Sequence, residues 1–364
     1  MRIGIDGRFL NESGVGRYIR NLISNLKDLD KQNQYFIFLL KEDYEKFTET
    51  KNFKKVLADF KWYGFIEQVK FPSLLKKYNL DLVHFPHFNF PIFYKNNFIV
   101  TIHDLIHQHF NMEHSTTHGP LIYKLKTLGY RTVFKHAVNK SSQILVPSEY
   151  VRKQLINDWK INSQKITVTA EGVEDSLLAK GGELPDGVRK PYIFFVGNAH
   201  PHKNVEGLIK AFLILRKKYQ YLQLVLAGKD SYFWRKLLEK YQHSDILYTG
   251  FVPDKKLVTL YKEADVYVEP SFEEGFGIPI LEAMALGTAV VSSRLGSLPE
   301  VGGDAVLYFN PNDSDDMVNK ISQVLNSKKL RKELIENGKK RVKLFSWKKM
   351  AEQTLEVYAS SNRS

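Results

Sequence analysis

The chain has 364 residues, too many for one ordinary core, and at roughly 100–200 residues per domain it predicts two. Its 43% hydrophobic content, without excess Gly or Pro, excludes a disordered chain, and the lack of cysteine excludes disulfides, thiol catalysis and thiolate zinc sites. A net charge of +13 suits a phosphorylated substrate, anionic lipid or nucleic acid, or simply a Lys-rich proteome, while no apolar run approaches the ~18 residues of a membrane span.

Short β-branched or aromatic runs alternate with helix-length segments, which predicts α/β architecture with parallel sheets covered on both faces. In the first half the expected strands are Arg2–Ile5, Tyr35–Leu40, Asp81–Phe85, Phe98–Ile102, Gln143–Val146 and Ile166–Thr169. The first begins almost at Met1 with no signal peptide before it, so a cytoplasmic protein is expected. After it comes Gly14-Val15-Gly16-Arg17-Tyr18, where glycines let the backbone approach a ligand. That signal is weak alone, because any tight βα turn uses glycine and Ile19 breaks the G-x-G-x-x-G spacing.

Two stretches of this half are both basic and aromatic. One runs from Lys51-Asn52-Phe53-Lys54-Lys55 to Lys61-Trp62-Tyr63-Gly64-Phe65, the other from Tyr123-Lys124-Leu125-Lys126 through Tyr130-Arg131, Phe134-Lys135-His136 and Lys140. The second has helical spacing, with Leu121, Leu125, Leu128 and Val133 available for packing. A basic amphipathic surface can dock on anionic lipid, at the inner face of the cytoplasmic membrane, or it is a solvated helix face. Between the two stretches, Thr101-Ile102-His103-Asp104 puts His103 and Asp104 at the carboxyl end of a strand, where a histidine can act as a base or be tied to a loop carbonyl.

Lys180-Gly181-Gly182-Glu183-Leu184-Pro185-Asp186-Gly187 is rich in turn formers and reads as a linker. The expected division is a domain over 1–180, a linker over 181–190, a second domain over 191–345 and a C-terminal helix over 346–364 that packs back on the first domain. Strands are expected at Tyr192–Val196, Leu222–Ala227, Ile246–Thr249, Val266–Glu269, Ala289–Ser292 and Val306–Phe309. Gly197-Asn198-Ala199-His200-Pro201-His202-Lys203 follows the first of these, and Lys203 at the start of a helix can neutralise a diphosphate. After Val266–Glu269 comes a turn with Glu274, Gly275, Phe276, Gly277 and Ile278, then Pro279 at a position favoured for a first-turn proline and an apolar helix expected over Ile280–Leu286, which Gly287 closes. Amides near Gly277 and Ile278 make an anion site. Glu282 is the lone acid on that helix and needs a hydrogen-bond donor, for which a ribose diol is one candidate. A plain βα turn with one acid near the helix N-terminus is the alternative.

The Glu274-x7-Glu282 spacing in this apolar setting resembles the signature of retaining glycosyltransferase family 4, most like bacterial mannosyltransferases of O-antigen and capsule assembly. The resemblance covers most of the chain. It implies the GT-B fold, two Rossmann-like doubly wound domains facing across a cleft, and domain closure about the linker. It assigns Glu274 to the donor sugar, Glu282 to the ribose, Lys203 to the donor phosphate, Gly14 and Gly16 to the phosphate from the other domain, and His103 to the sugar near the reaction centre, with Asp104 its orienting or acceptor-side neighbour. The backbone at Gly250 and Val252 receives the nucleotide base. An arginine common after Gly197 in that family is Asn198 here, which leaves His202 or Arg294 to supply a second charge.

The resemblance further implies transfer with retention, without a covalent intermediate. No Asp-x-Asp loop suits a metal, so no metal or other cofactor is expected. The expected partners are a nucleotide sugar, first of all GDP-mannose, and a glycan or lipid-linked acceptor. UDP-sugars and dTDP-rhamnose remain open as donors, and a sugar-nucleotide epimerase or phosphorylase remains open as an activity. Nucleic acid is not expected, because the charge is spread over both halves without a basic-aromatic module.

Overall fold

The computed structural model describes residues 1–12, 14–109, 120–178 and 181–361. Lys180 of the linker stretch and the side chains of residues 121–126 lie outside the described residues. Two compact units are present. One gathers the described residues of 1–105, 116–171 and 347–364, the other those of 106–115 and 172–346.

The first unit holds strands β1 (Arg2–Asp6), β2 (Gln34–Leu39), β3 (Phe53–Leu57), β4 (Leu82–Phe85), β5 (Phe98–Thr101), β6 (Gln143–Val146) and β7 (Ile166–Val168). They pair in parallel in the order β3-β2-β1-β4-β5-β6-β7. The second unit holds β8 (Tyr192–Val196), β9 (Gln223–Ala227), β10 (Ile246–Tyr248), β11 (Val266–Glu269), β12 (Val290–Ser293) and β13 (Val306–Phe309), parallel in the order β10-β9-β8-β11-β12-β13. Each order reverses once, between β1 and β4 and between β8 and β11. Crossover connections leave in opposite directions at those points, and the carboxyl ends of the flanking strands open a crevice there.

Burial explains why these runs form strands. Tyr267 and Val268 are fully buried although their side chains point to opposite faces of β11, because helices cover both sides. Helix Gly14–Leu29 buries Tyr18, Ile19, Leu22, Ile23 and Leu26, an i, i+3, i+4 stripe, and helix Val205–Lys218 buries Val205, Leu208, Ile209, Phe212 and Leu215 the same way.

The basic-aromatic stretches are corrected by the structure. Phe53–Leu57 is an edge strand, with Phe53 and Val56 in the core and Lys54 exposed. An edge lysine is a common guard against further strand pairing, so its charge here needs no ligand. In helix Pro120–Lys140, Leu128 is 63% exposed, against expectation, whereas Val133 packs against the core as expected, beside buried Phe134, Ala137 and Val138. Phe134 therefore belongs to the core.

Helix Trp347–Ser361 lies in the first unit, after the whole of the second. Trp347 meets Tyr18 edge-on at 6.4 Å, and Tyr358 hydrogen-bonds the buried His84 ring at 2.7 Å. Asn97 donates to the Ser361 carbonyl at 2.9 Å. No helix among the described residues is long and apolar enough to cross a membrane.

Candidate functional site

In the second unit the crevice between β8 and β11 is lined by the turns that follow those strands. Gly197 continues β8, its N–H donating to the Ala227 carbonyl at 2.9 Å. Asn198 folds back to accept from the His200 N–H at 3.1 Å. Pro201–Lys203 forms one 3₁₀ turn, and helix Val205–Lys218 begins only after Asn204, which sits at φ 50°. Two contacts pin this turn to the one after β11. Phe272 N–H donates to the His202 carbonyl at 2.7 Å, and Asn204 Nδ2 donates to the Pro270 carbonyl at 3.1 Å. Lys203 is thereby aimed at Glu274.

The pair is tight. Lys203 Nζ lies 2.5 Å from Glu274 Oε1, and Ser271 Oγ lies 2.6 Å from the same oxygen. The hydrogen bonds to Glu274 from Lys203 and Ser271 both fall on Oε1. Both side chains are mostly buried, so the attraction is less screened than on an open surface. Gly296 and Ser297 support the turn from beneath. Ser297 Oγ reaches the carbonyls of Glu274 (2.9 Å) and Phe276 (2.8 Å), and a side chain on Gly296, at φ +66°, would strike Glu274 N at 2.8 Å. Phe276 is buried edge-on to Phe345 at 5.7 Å.

Gly275 continues this turn, and Gly277 ends it. At φ +99° Gly277 occupies backbone space that other residues enter at a cost, and a Cβ there would lie 2.8 Å from Leu298. Helix Ile278–Ala285 follows with Pro279 in its first turn, beginning two residues before the expected Ile280. Pro279 has no N–H and Ile280 N–H donates to the Gly277 carbonyl at 3.1 Å, so the Gly277 and Ile278 amides are the ones at this helix start that suit an anionic group. Glu282 is 2% exposed and accepts from Tyr261 OH at 2.8 Å, so a protein hydroxyl already meets the need that the sequence left to a ribose. After β10, Gly250 sits at φ +68° with nothing within 4 Å of an added Cβ, and Val252 is half-buried.

Neither candidate for a second positive charge supplies one freely. Burial, then the Lys203 charge, pushes the His202 pKa down to about 3, so its ring is neutral near pH 7. Arg294 is paired with Asp316 at 2.9 Å. Among the described residues no group of three or more His, Asp or Glu is placed to hold a metal ion.

In the first unit the turn after β1 is braced by a buried ion network. Arg8 Nη2 is 2.7 Å from both Asp6 Oδ2 and Glu67 Oε1, and Asn89 donates to Glu67 at 2.8 Å. Helix Gly14–Leu29 starts beyond this turn. A Cβ on Gly14 would meet nothing within 4 Å, whereas one on Gly16 would lie 2.4 Å from the Leu10 carbonyl oxygen. Gly16 is thus required by close backbone packing, and Gly14 is not.

His103 follows β5. Its Nε2 is 2.9 Å from the Pro86 carbonyl and its Nδ1 3.3 Å from Glu171 Oε1. Both neighbours are acceptors, so the doubly protonated ring is the form that satisfies both contacts. Burial alone lowers its pKa, but the Glu171 hydrogen bond and charge outweigh that and raise it. The orienting carboxylate is therefore Glu171 rather than Asp104, which acts on the ring only as a lesser charge. Glu171 lies three residues past β7, and its position just after a strand was the one local signal for it. Asn204 and Ser297 were also missed, since each acts through contacts distant in sequence, and Ser271 was missed although its partners Glu269 and Glu274 lie two and three residues away.

Two family models match the chain, the one described as Glycosyltransferase Family 4 over residues 13–177 and the one described as Glycosyl transferases group 1 over residues 183–341. The chain belongs to these glycosyltransferases. An O-antigen chain mannosyltransferase B of Escherichia coli is 33% identical over 237 residues, 61% of this chain and 61% of that one, so the match spans less than two thirds of that relative's length. An uncharacterized glycosyltransferase of Methanocaldococcus jannaschii is 29% identical over 95% of this chain and 94% of its own. Among solved structures, a sucrose-phosphate synthase from Thermosynechococcus elongatus superposes with a TM-score of 0.77 at 20% identity, over 99% of this chain and 98% of that one. The fold is GT-B, with its two parallel sheets of seven and six strands.

Proposed function

We propose that this chain is a metal-independent retaining glycosyltransferase that moves mannose from GDP-mannose to a glycan or lipid-linked acceptor in surface-polysaccharide synthesis. The observation that carries the reading is the Lys203–Glu274 pair at the β8/β11 crevice, beside the first turn of helix Ile278–Ala285. Departure of a nucleoside diphosphate concentrates negative charge on its outer phosphate. A buried ammonium and a helix N-terminus held in place before the reaction stabilise that charge without reorganising. Glu274 Oε2 is left to orient a donor hydroxyl. His103 has both ring nitrogens facing protein acceptors and is placed to position the sugar pocket, not to act as a base, which leaves deprotonation of the acceptor to the departing phosphate. The name of the E. coli relative supports mannose as the sugar.

The test is transfer assayed by mass spectrometry with GDP-mannose, UDP-glucose and dTDP-rhamnose in parallel, with and without EDTA, alongside melting shifts with GDP, UDP and dTDP. Selective transfer from GDP-mannose that EDTA leaves intact is expected, with the anomeric configuration kept in the product. Transfer from another donor corrects the substrate, and nucleotide-sugar turnover that needs no acceptor overturns the transferase reading in favour of an epimerase.

A further inference from the structure

Glu269 ends β11 with its side chain wholly buried, and none of the roles above uses it. Its Oε2 accepts from Tyr267 OH at 2.9 Å, and its Oε1 lies 2.6 Å from Ser271 Oγ. The same Ser271 Oγ is 2.6 Å from Glu274 Oε1, the oxygen that Lys203 holds at 2.5 Å. A hydroxyl has one proton to donate, yet this one stands at short range between two carboxyl groups. Were both ionised, one of the two 2.6 Å contacts would set lone pair against lone pair. One added proton removes the conflict. It belongs on Glu269, because Glu274 has the Lys203 ammonium against it and Glu269 has only neutral hydroxyls within hydrogen-bond range. Burial pushes Glu269 up to about 7, with Lys203 pulling it down and Glu274 pushing it up. The bonds then run one way, from the Glu269 carboxyl to Ser271 Oγ, from the Ser271 hydroxyl to Glu274, and from Lys203 to Glu274.

We propose that Glu269 is a positioning residue that works as a neutral acid: its proton turns the Ser271 hydroxyl onto Glu274 and so fixes the Glu274–Lys203 pair for the nucleotide sugar. The inference rests on the reading of Glu274 and Lys203 as donor-binding residues. The groups facing Glu269 are Tyr267 on its own strand, Ser271 and Glu274 on the turn after it, and Lys203 on the turn after β8. Once Glu269 ionises, Ser271 has two anions competing for one proton and Lys203 faces two carboxylates. A donor diphosphate then competes with both for the ammonium, so donor binding weakens as pH rises.

The experiment is calorimetric titration of GDP-mannose, whose diphosphate diester does not titrate near neutrality, into the full chain from pH 6 to 8.5. Wild-type affinity is expected to fall about tenfold across that range, a coupling of ordinary size. Glu269→Gln, whose amide can donate to Ser271 at every pH, is expected to bind as the wild type does at pH 6 and to show no pH dependence. Ser271→Ala, which keeps Glu269 and removes the link, is expected to bind at pH 6 as weakly as the wild type at pH 8.5. A flat wild-type profile, a sloping Glu269→Gln profile, or wild-type affinity in Ser271→Ala at pH 6 each overturns the proposal. Glu274→Ala separates the two levels. If it loses binding while wild type and Glu269→Gln share one profile, the Glu269 assignment alone fails. If it binds as the wild type does, or if the wild type binds no GDP-mannose, the donor-site reading beneath it fails as well.

Discussion

Lys203→Met removes the ammonium from a pair whose side chains are 14% and 9% exposed. Glu274 then keeps one hydrogen bond, from Ser271, with the buried Glu269 carboxyl on the other side of that hydroxyl. Stranding a largely buried carboxylate costs about 3 kcal/mol, the lower end of the range for broken buried pairs. Glu274→Gln removes the other charge and costs less, about 1–2 kcal/mol, because a lysine stem can carry its head toward water. In the double variant no charge is stranded, so close to half of the summed loss returns, a coupling of about 2 kcal/mol. Function behaves differently. Each single variant and the double lose at least an order of magnitude in turnover, Lys203→Met and the double because the diphosphate needs the cation, and Glu274→Gln because the donor hydroxyl loses its carboxylate. Hydrogen exchange of β8 and β11 reads the stability of this unit separately from the other. In the single Lys203→Met variant about 3 kcal/mol corresponds to roughly 150-fold faster exchange of the slowest amides. Stability losses that add within about 0.5 kcal/mol refute the coupling, and near-wild-type turnover of Lys203→Met refutes the role of the cation.

Three further outcomes are expected. Burial, with a smaller push from His103, holds the His84 pKa down to about 3 from 6.5, so between those values the unfolded chain binds the extra proton and stability falls as pH falls. From pH 6.5 to 5 that amounts to about 2 kcal/mol, read as faster exchange of β4 and β5, and a flat response contradicts a neutral buried ring. Arg8→Met leaves Asp6 and Glu67 facing each other without their shared cation, for a loss of about 3–5 kcal/mol, and an unchanged melting temperature would show that the network carries no weight. Gly16→Ala forces a Cβ to 2.4 Å from the Leu10 carbonyl oxygen and costs about 1–3 kcal/mol in denaturant unfolding, whereas Gly14→Ala, facing open space, changes stability by less than about 0.5 kcal/mol.

The donor-side turns were legible because their signals are local. A strand with both faces buried, a glycine forced to φ +99° and a first-turn proline are written within a dozen residues around Glu274. The edge strand Phe53–Leu57 was not legible, because Phe53, Lys54, Lys55, Val56 and Leu57 show no period-two alternation and its lysines drew attention to charge. Which face of helix Pro120–Lys140 packs was not legible. Leu128 and Phe134 are both apolar, and only the sheet beneath decides which one is covered.

The sequence by itself determined the α/β alternation, the two parallel sheets, and the acids, lysine and glycines at strand ends, because each follows from backbone propensity and hydrophobic period over short range. Tertiary structure alone decided what those groups are charged with and to whom they are bonded. It neutralised His202, gave His103 the Glu171 carboxylate, spent Arg294 on Asp316 and joined Glu269 to Glu274 through one hydroxyl. Protonation depends on desolvation and on neighbours brought in from remote parts of the chain. The segment around Glu274 therefore marked the site, and packing set its electrostatics.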